Sequence, residues 1–169
     1  VLDGAGEATA GAGMSTERSI MAAIKSQIAT RVNGAGSYVF DLTASDRVVH
    51  GQAFQPHRVP GCYCWFVNSD SRQDGGVTVL TRYDRQLLAQ VEGWAPTDSA
   101  TPGEAVLDAL DLAADIRRAL ESDLTLGGIA QVRNESINIT AVDGQGMDRP
   151  GLGVCVLRVR VDYTEEIGA

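Results

Sequence analysis

The chain is poor in the residues that do chemistry or staple small folds. Its 169 residues include three Cys, two His and two Trp, and aromatics make up only 5%. Three Cys are too few, and odd in number, for a disulfide framework, so a reducing, cytoplasmic origin is expected. No apolar run approaches the roughly 18 residues that span a bilayer. The basic and apolar segments of a secretory signal are also missing, Arg18 being the first positive side chain. Without an export signal, the sequons Asn134-Glu-Ser136 and Asn138-Ile-Thr140 are read as accidents. Positive charge is scarce too: 14 Lys and Arg stand against 22 Asp and Glu, a formal net charge of −8. Binding DNA or RNA through its phosphates needs clustered positive charge, and this balance argues against it. An anionic membrane surface is disfavoured for the same reason.

What is present suits one domain. At this length folding buries about 70% of the surface that the unfolded chain exposes, enough for a core without staples. Residues 1–14 form a Gly/Ala-rich arm with no apolar period. Such a segment cannot offset its ordering entropy by its own burial, so a neighbouring subunit is the expected support. Met14 looks like a second start. A single domain over residues 15–169 follows.

A first helix is predicted over about 16–33. Ser15 and Thr16 supply capping oxygens and Glu17 a first-turn acid. Ile20, Ile24, Ile28 and Val32 make one apolar stripe, and Asn33-Gly34 suits a left-handed stop. Strands are predicted over 38–42, 48–54, 62–67, 77–81 and 86–94, punctuated by Pro56, Pro60-Gly61, Asn68-Ser69-Asp70 and Asp74-Gly75-Gly76. A second helix starts at Thr101-Pro102-Gly103-Glu104, with a capping hydroxyl, Pro at the first helical position and an acid behind it. Val106, Ala109, Leu110, Ala113, Ile116, Leu120 and Leu124 are assigned to its apolar face. Glu104, Asp108, Asp111 and Asp115 are assigned to the solvated face opposite, and Gly127-Gly128 to its stop. Two further strands, 136–142 and 154–163, close the chain around a Gly-rich loop over 143–153. In the last of them Cys155, Leu157, Val159, Val161 and Tyr163 alternate with Arg158, Arg160, Asp162 and Thr164. Loops are expected at 44–46, 69–76 and 143–153. The pattern gives an α+β fold, a mostly antiparallel sheet with two main helices packed on one face.

Chemistry has few footholds. Gly4-Ala-Gly6 follows no strand and lacks a third Gly at the spacing of a dinucleotide fingerprint, and no phosphate loop is present. His50, His57, Cys62 and Cys64 make the one candidate zinc cluster or Cys/His catalytic pair. Cys-Tyr-Cys spacing is not that of usual zinc signatures, and two buried Cys flanking a core tyrosine is the favoured reading. No nucleophile elbow or oxyanion Gly motif accompanies any Ser or Cys. No catalytic residue, cofactor or metal ligand is assigned. The row Glu104, Asp108, Asp111, Asp115 lacks the Glu-x-x-His pattern of carboxylate metal sites. Arg158 and Arg160 suit either a plain solvent face or an intersubunit seam against that same acidic row of a neighbour.

The stretch Gly93-Trp94-Ala95-Pro96, the helix with Ala113-Ala114-Asp115-Ile116-Arg117-Arg118-Ala119-Leu120-Glu121, the turn Leu126-Gly127-Gly128-Ile129-Ala130 and the final Val156-to-Tyr163 strand carry a resemblance. In order and texture, over about residues 15–165, the chain resembles the tail terminator and minor tail proteins of long-tailed bacteriophages and related gene transfer particles. The arm before Met14 and the Cys-Tyr-Cys strand are departures from that family. The resemblance implies a non-enzymatic virion protein at the head–tail junction, assembled in the host cytoplasm. Six copies would form a ring that caps the tail tube and joins it to the head connector or stopper. DNA would pass through the ring without specific binding. Glu104, Asp108, Asp111, Asp115, Arg158 and Arg160 are the expected subunit contacts. Another neck component, such as a stopper or tail completion protein, is the alternative; a small cytoplasmic zinc-binding or Cys/His enzyme is a more distant one.

Overall fold

A computed structural model describes residues 15–51, 58–71, 82–96, 104–128, 130–143 and 152–166. The expected arm over 1–14, the strand over 77–81 and the start signal at 101–103 lie outside these residues. The helices form where the apolar period is longest. Helix α1, Thr16–Arg31, is capped by the Ser15 hydroxyl, which accepts the Arg18 amide at 3.3 Å. Ile20, Ile24 and Ile28 are its fully buried face. Val32 ends it with an ordinary negative φ of −80°, and the left-handed turn comes two residues later, at Gly34 with φ +67°. Helix α2, Glu104–Glu121, ends at Glu121 and not at Gly127-Gly128. The following 123–128 turn is held by the Asp123 carboxylate, which accepts from Thr125 and Gly127.

The described strands are β1 Val48–His50, β2 Gly61–Ser71, β3 Arg82–Pro96, β4 Gln131–Asp143 and β5 Leu152–Glu166. They form one sheet in the order β1-β2-β3-β5-β4, antiparallel throughout except for the β1–β2 pair. Strand β2 runs straight through Asn68-Ser69-Asp70, where a turn was expected. A bulge between Phe66 and Asn68 absorbs the irregularity. The 38–42 strand is absent: that segment is a loop carrying one isolated bridge, Asn33 to Asp41. Residues 44–46 make a tight turn closed by the Arg47 amide on the Ala44 carbonyl at 2.9 Å.

Both helices lie on the same face of the sheet, and the α+β reading holds. Ile20, Ile24 and Ile28 of α1 join Leu112, Ala113, Ile116 and Leu120 of α2 in one core. From below they meet Cys62, Cys64, Leu87, Ala89, Val91, Cys155, Leu157, Val159, Val161 and Tyr163. The period-2 alternation of β3 and β5 delivers those inward positions. Burying each Ile or Leu contributes about 1.5–3 kcal/mol. Two glycines set the helix–sheet distance. A Cβ at Gly153 would lie 2.1 Å from the Ala105 carbonyl oxygen, and one at Gly93 would meet Cys155, Ile116 and Leu112 at 2.8–2.9 Å. The opposite sheet face carries a smaller cluster, Tyr63, Trp94 and Val154, with Trp65 and Leu152 beside it.

Candidate functional site

The predicted acidic row does not stay together. Glu104 and Asp111 are exposed and Asp108 is half-buried, but Asp115 is only 1% exposed. Its Oδ2 accepts the amides of Val39 and Phe40 at 2.8 and 2.9 Å, and its Oδ1 accepts Arg118 at 3.1 Å. Arg118 also donates to the Ser37 carbonyl and lies 5.6 Å from the centre of the Tyr38 ring. Asp115 is thus the clamp that fixes the loop after α1, and it leaves the list of outward-facing contacts. The apolar face of α2 is correspondingly rotated: Leu112 and Ala119 are buried, while Leu110 is 41% exposed and Leu107 60% exposed.

Arg158 and Arg160 are exposed on β5, an interior strand, facing away from the helices. Arg158 sits opposite Gln90 of β3 and Asn138 of β4, and Arg160 opposite Leu88. Neither makes an ion pair with a described residue, and neither do Glu104, Asp108 or Asp111. The two sets lie on opposite sides of the chain, with the sheet and the helix layer between them. Within one copy they cannot meet.

Among the described residues the three thiols and His50 do not converge on one site. Cys62 and Cys64 point to the same side of β2, as their spacing requires, with sulfurs 4.0 Å apart in the core. The Cys64 contact and burial push the Cys62 thiol well up, and burial raises Cys155 to about 12. Protonated buried thiols are poor nucleophiles and poor ligands. His50 is exposed at the end of β1, its basicity lowered by partial burial and by Lys25; His57 lies outside the described residues. Among the described residues no three His, Cys, Asp or Glu side chains converge on a common point.

Among the described residues an open groove of about 710 Å³ lies between α1 and the β1–β2 end of the sheet. Met21, Ala22 and Phe66 give it an apolar wall, and Glu17, Arg18 and His50 its polar points. Glu17 at its rim accepts the Tyr163 hydroxyl at 2.8 Å. Its own backbone amide and that hydroxyl hold the Glu17 carboxyl below its ordinary range, while burial and Glu17 push Tyr163 up to about 12. Sequence reading missed the groove because α1 and β2 are thirty residues apart along the chain. The exposed Leu107 was legible in principle, since it falls outside the helical apolar period.

No helix among the described residues is long and apolar enough to cross a membrane. The chain matches no family model and no curated protein. Among solved structures 26 chains match. One of them, which carries no functional name, superposes with a TM-score of 0.51 at 13% identity, over 89% of this chain and 96% of its own. At that identity the likeness shows the shared α+β fold and nothing of function.

Proposed function

We propose that this chain is a structural virion subunit, a tail terminator whose six copies form a ring at the head–tail junction. The ring caps the last layer of the tail tube and presents its other surface to the head connector or stopper. The observation that supports this reading best is the separation of charge: Arg158 and Arg160 stand exposed on the sheet face, Glu104 and Asp111 on the helix side, and neither set forms an ion pair with a described residue. Surfaces of opposite sign on different sides of one molecule suit a head-to-tail contact, which closes into a ring when the rotation permits. Net charge of −8 agrees with a channel through which DNA slides without being held. Two long helices on one face of an open sheet favour a terminator over a stopper, for which a small β-barrel is expected.

The test is the mass of the native assembly by light scattering, for the wild type and for R158E/R160E. Both positions are exposed, so the variant keeps its fold, which circular dichroism checks. Wild-type hexamers and monomeric R158E/R160E support the reading; hexamers in both refute the placement of the arginines.

A further inference from the structure

Helix α2 is apolar on two sides. Its inner face lies in the core, yet Leu107 and Leu110 are 60% and 41% exposed, and Ala114 beside them is exposed as well. The three stand at i, i+3 and i+7, one row along the helix. At 100° per residue Leu107 lies about 180° around α2 from the buried Ile116, so this row is the outer surface of the helix layer. Glu104 and Asp111, three before and four after Leu107, run along its flank. The helix carries no Lys or Arg before Arg117, and beyond that point Arg117 is paired with Glu121 and Arg118 with Asp115.

The sheet offers the opposite sign. Both helices cover one face, and among the described residues no helix or strand lies on the other. At one end of that outer face Val59 packs on Tyr63, Trp94 and Val154. Beyond them the rows are open: Trp65, Gln90 and Arg158 stand opposite one another across β2, β3 and β5, and Asn68, Leu88 and Arg160 form the next row. Trp65, Gln90 and Leu88 are half-buried and both arginines exposed. The adjoining rows hold carboxylates with partners or at a distance. Glu92 accepts the Trp94 indole N–H at 2.7 Å, Asp162 accepts the Gln86 side-chain amide at 2.9 Å, and Asp70 lies two strands away from Arg160. Arg158 and Arg160 form no ion pair with a described residue.

Helix α2 packs over β3 and β5, so its outer row and the arginines of β5 lie back to back across the two layers. A second copy set on the sheet face brings its helix row to those arginines and leaves its own facing the next copy. We infer that the outer row of α2 packs on the open sheet face of the neighbouring copy, with Leu107 and Leu110 on Leu88 and Trp65, and Glu104 and Asp111 against Arg158 and Arg160. Each sheet is then covered on one face by its own helices and on the other by a neighbour's α2. The inference rests on the repeated-subunit reading above and deepens it, because it adds an apolar anchor to the same charged surface. Exposed ion pairs contribute little individually, whereas a few apolar side chains buried at the centre of a contact carry most of its affinity.

Crosslinking between introduced thiols tests the pairing. Cys62, Cys64 and Cys155 are all buried, so a short bis-maleimide reports on introduced thiols alone. L107C is mixed in equal amounts with L88C and, separately, with Q90C in the adjoining row, after circular dichroism has shown each variant folded. The expected result is dimers in at least one mixture and none in any variant alone. Dimers from a single variant would show a like-to-like contact and overturn the inference. So would two mixtures without dimers although light scattering shows rings. L107S/L110S reads the apolar anchor apart from the charges: folded protein whose assembly mass falls at least twofold is expected, and unchanged rings contradict the inference. That last outcome leaves the charge contact standing where R158E/R160E is monomeric. A wild-type chain that is monomeric at every concentration overturns the repeated-subunit reading as well, so the two failures are distinguishable.

Discussion

At the scale of single residues, the position that departs most from its sequence pattern is Asp115. Its spacing from Asp108 and Asp111 assigns it to solvent, yet it is buried, and two backbone amides plus Arg118 compensate its charge. No local signal announces this, because its partners Val39 and Phe40 lie seventy-five residues upstream. Removing the acceptor takes the partner from two part-buried amides and from Arg118, where orphaning a fully buried donor costs about 1–3 kcal/mol. Asp115→Ala is therefore expected to lower unfolding free energy by about 2–4 kcal/mol in urea titrations. Asp115→Asn, which keeps one acceptor oxygen, is expected to lose less. Tyr163 gives a pH prediction. Its hydroxyl, raised to about 12 by burial and by Glu17, contributes stability that is complete below the ordinary tyrosine value near 10. That stability drains away as pH rises from about 10 to 12. Tyr163→Phe should flatten this alkaline decline in thermal melts; a decline equal to that of the wild type would contradict it.

At the scale of elements, α1, α2, β3 and β5 were legible because each presents an unbroken period to one core. Ile20, Ile24 and Ile28 recur at helical spacing, and Cys155 to Tyr163 alternate along a strand. Elements shaped by distant partners were not legible. The 38–42 segment has strand-like composition, but its amides are taken by Asp115 of α2 in place of a neighbouring strand. Strand β2 passes through a polar run that reads as a turn because antiparallel pairing with β3 continues as far as Ser71. The rotation of α2 is legible only in three dimensions, since choosing Leu110 over Leu112 as the core residue depends on where the sheet lies. That rotation depends in turn on Gly93, over which Leu112 and Ile116 pack. A methyl group there meets Cys155, Ile116 and Leu112 at under 3 Å, so Gly93→Ala is expected to destabilise by about 1–3 kcal/mol through overpacking. Equilibrium unfolding measures this directly, and a neutral result would mean that α2 can move outward without loss.

At the scale of the whole molecule, the described fold is two layers: helices over one face of a sheet, and the other face bearing Arg158 and Arg160. The sequence patterns announced the layers and the sign of the charge. They did not announce every residue that remains outside, because Leu110, Phe66 and Val67 have the composition of core residues and only the completed packing leaves them exposed. Apolar side chains exposed among the described residues, together with charges of opposite sign on two sides that form no ion pair with a described residue, support the proposal that copies of this chain complete its surface. Light scattering of the purified chain, coupled to size-exclusion chromatography, addresses this most directly. The account predicts a closed particle of about six times 17.9 kDa, independent of concentration over a broad range; a single 17.9 kDa species at all concentrations would contradict it.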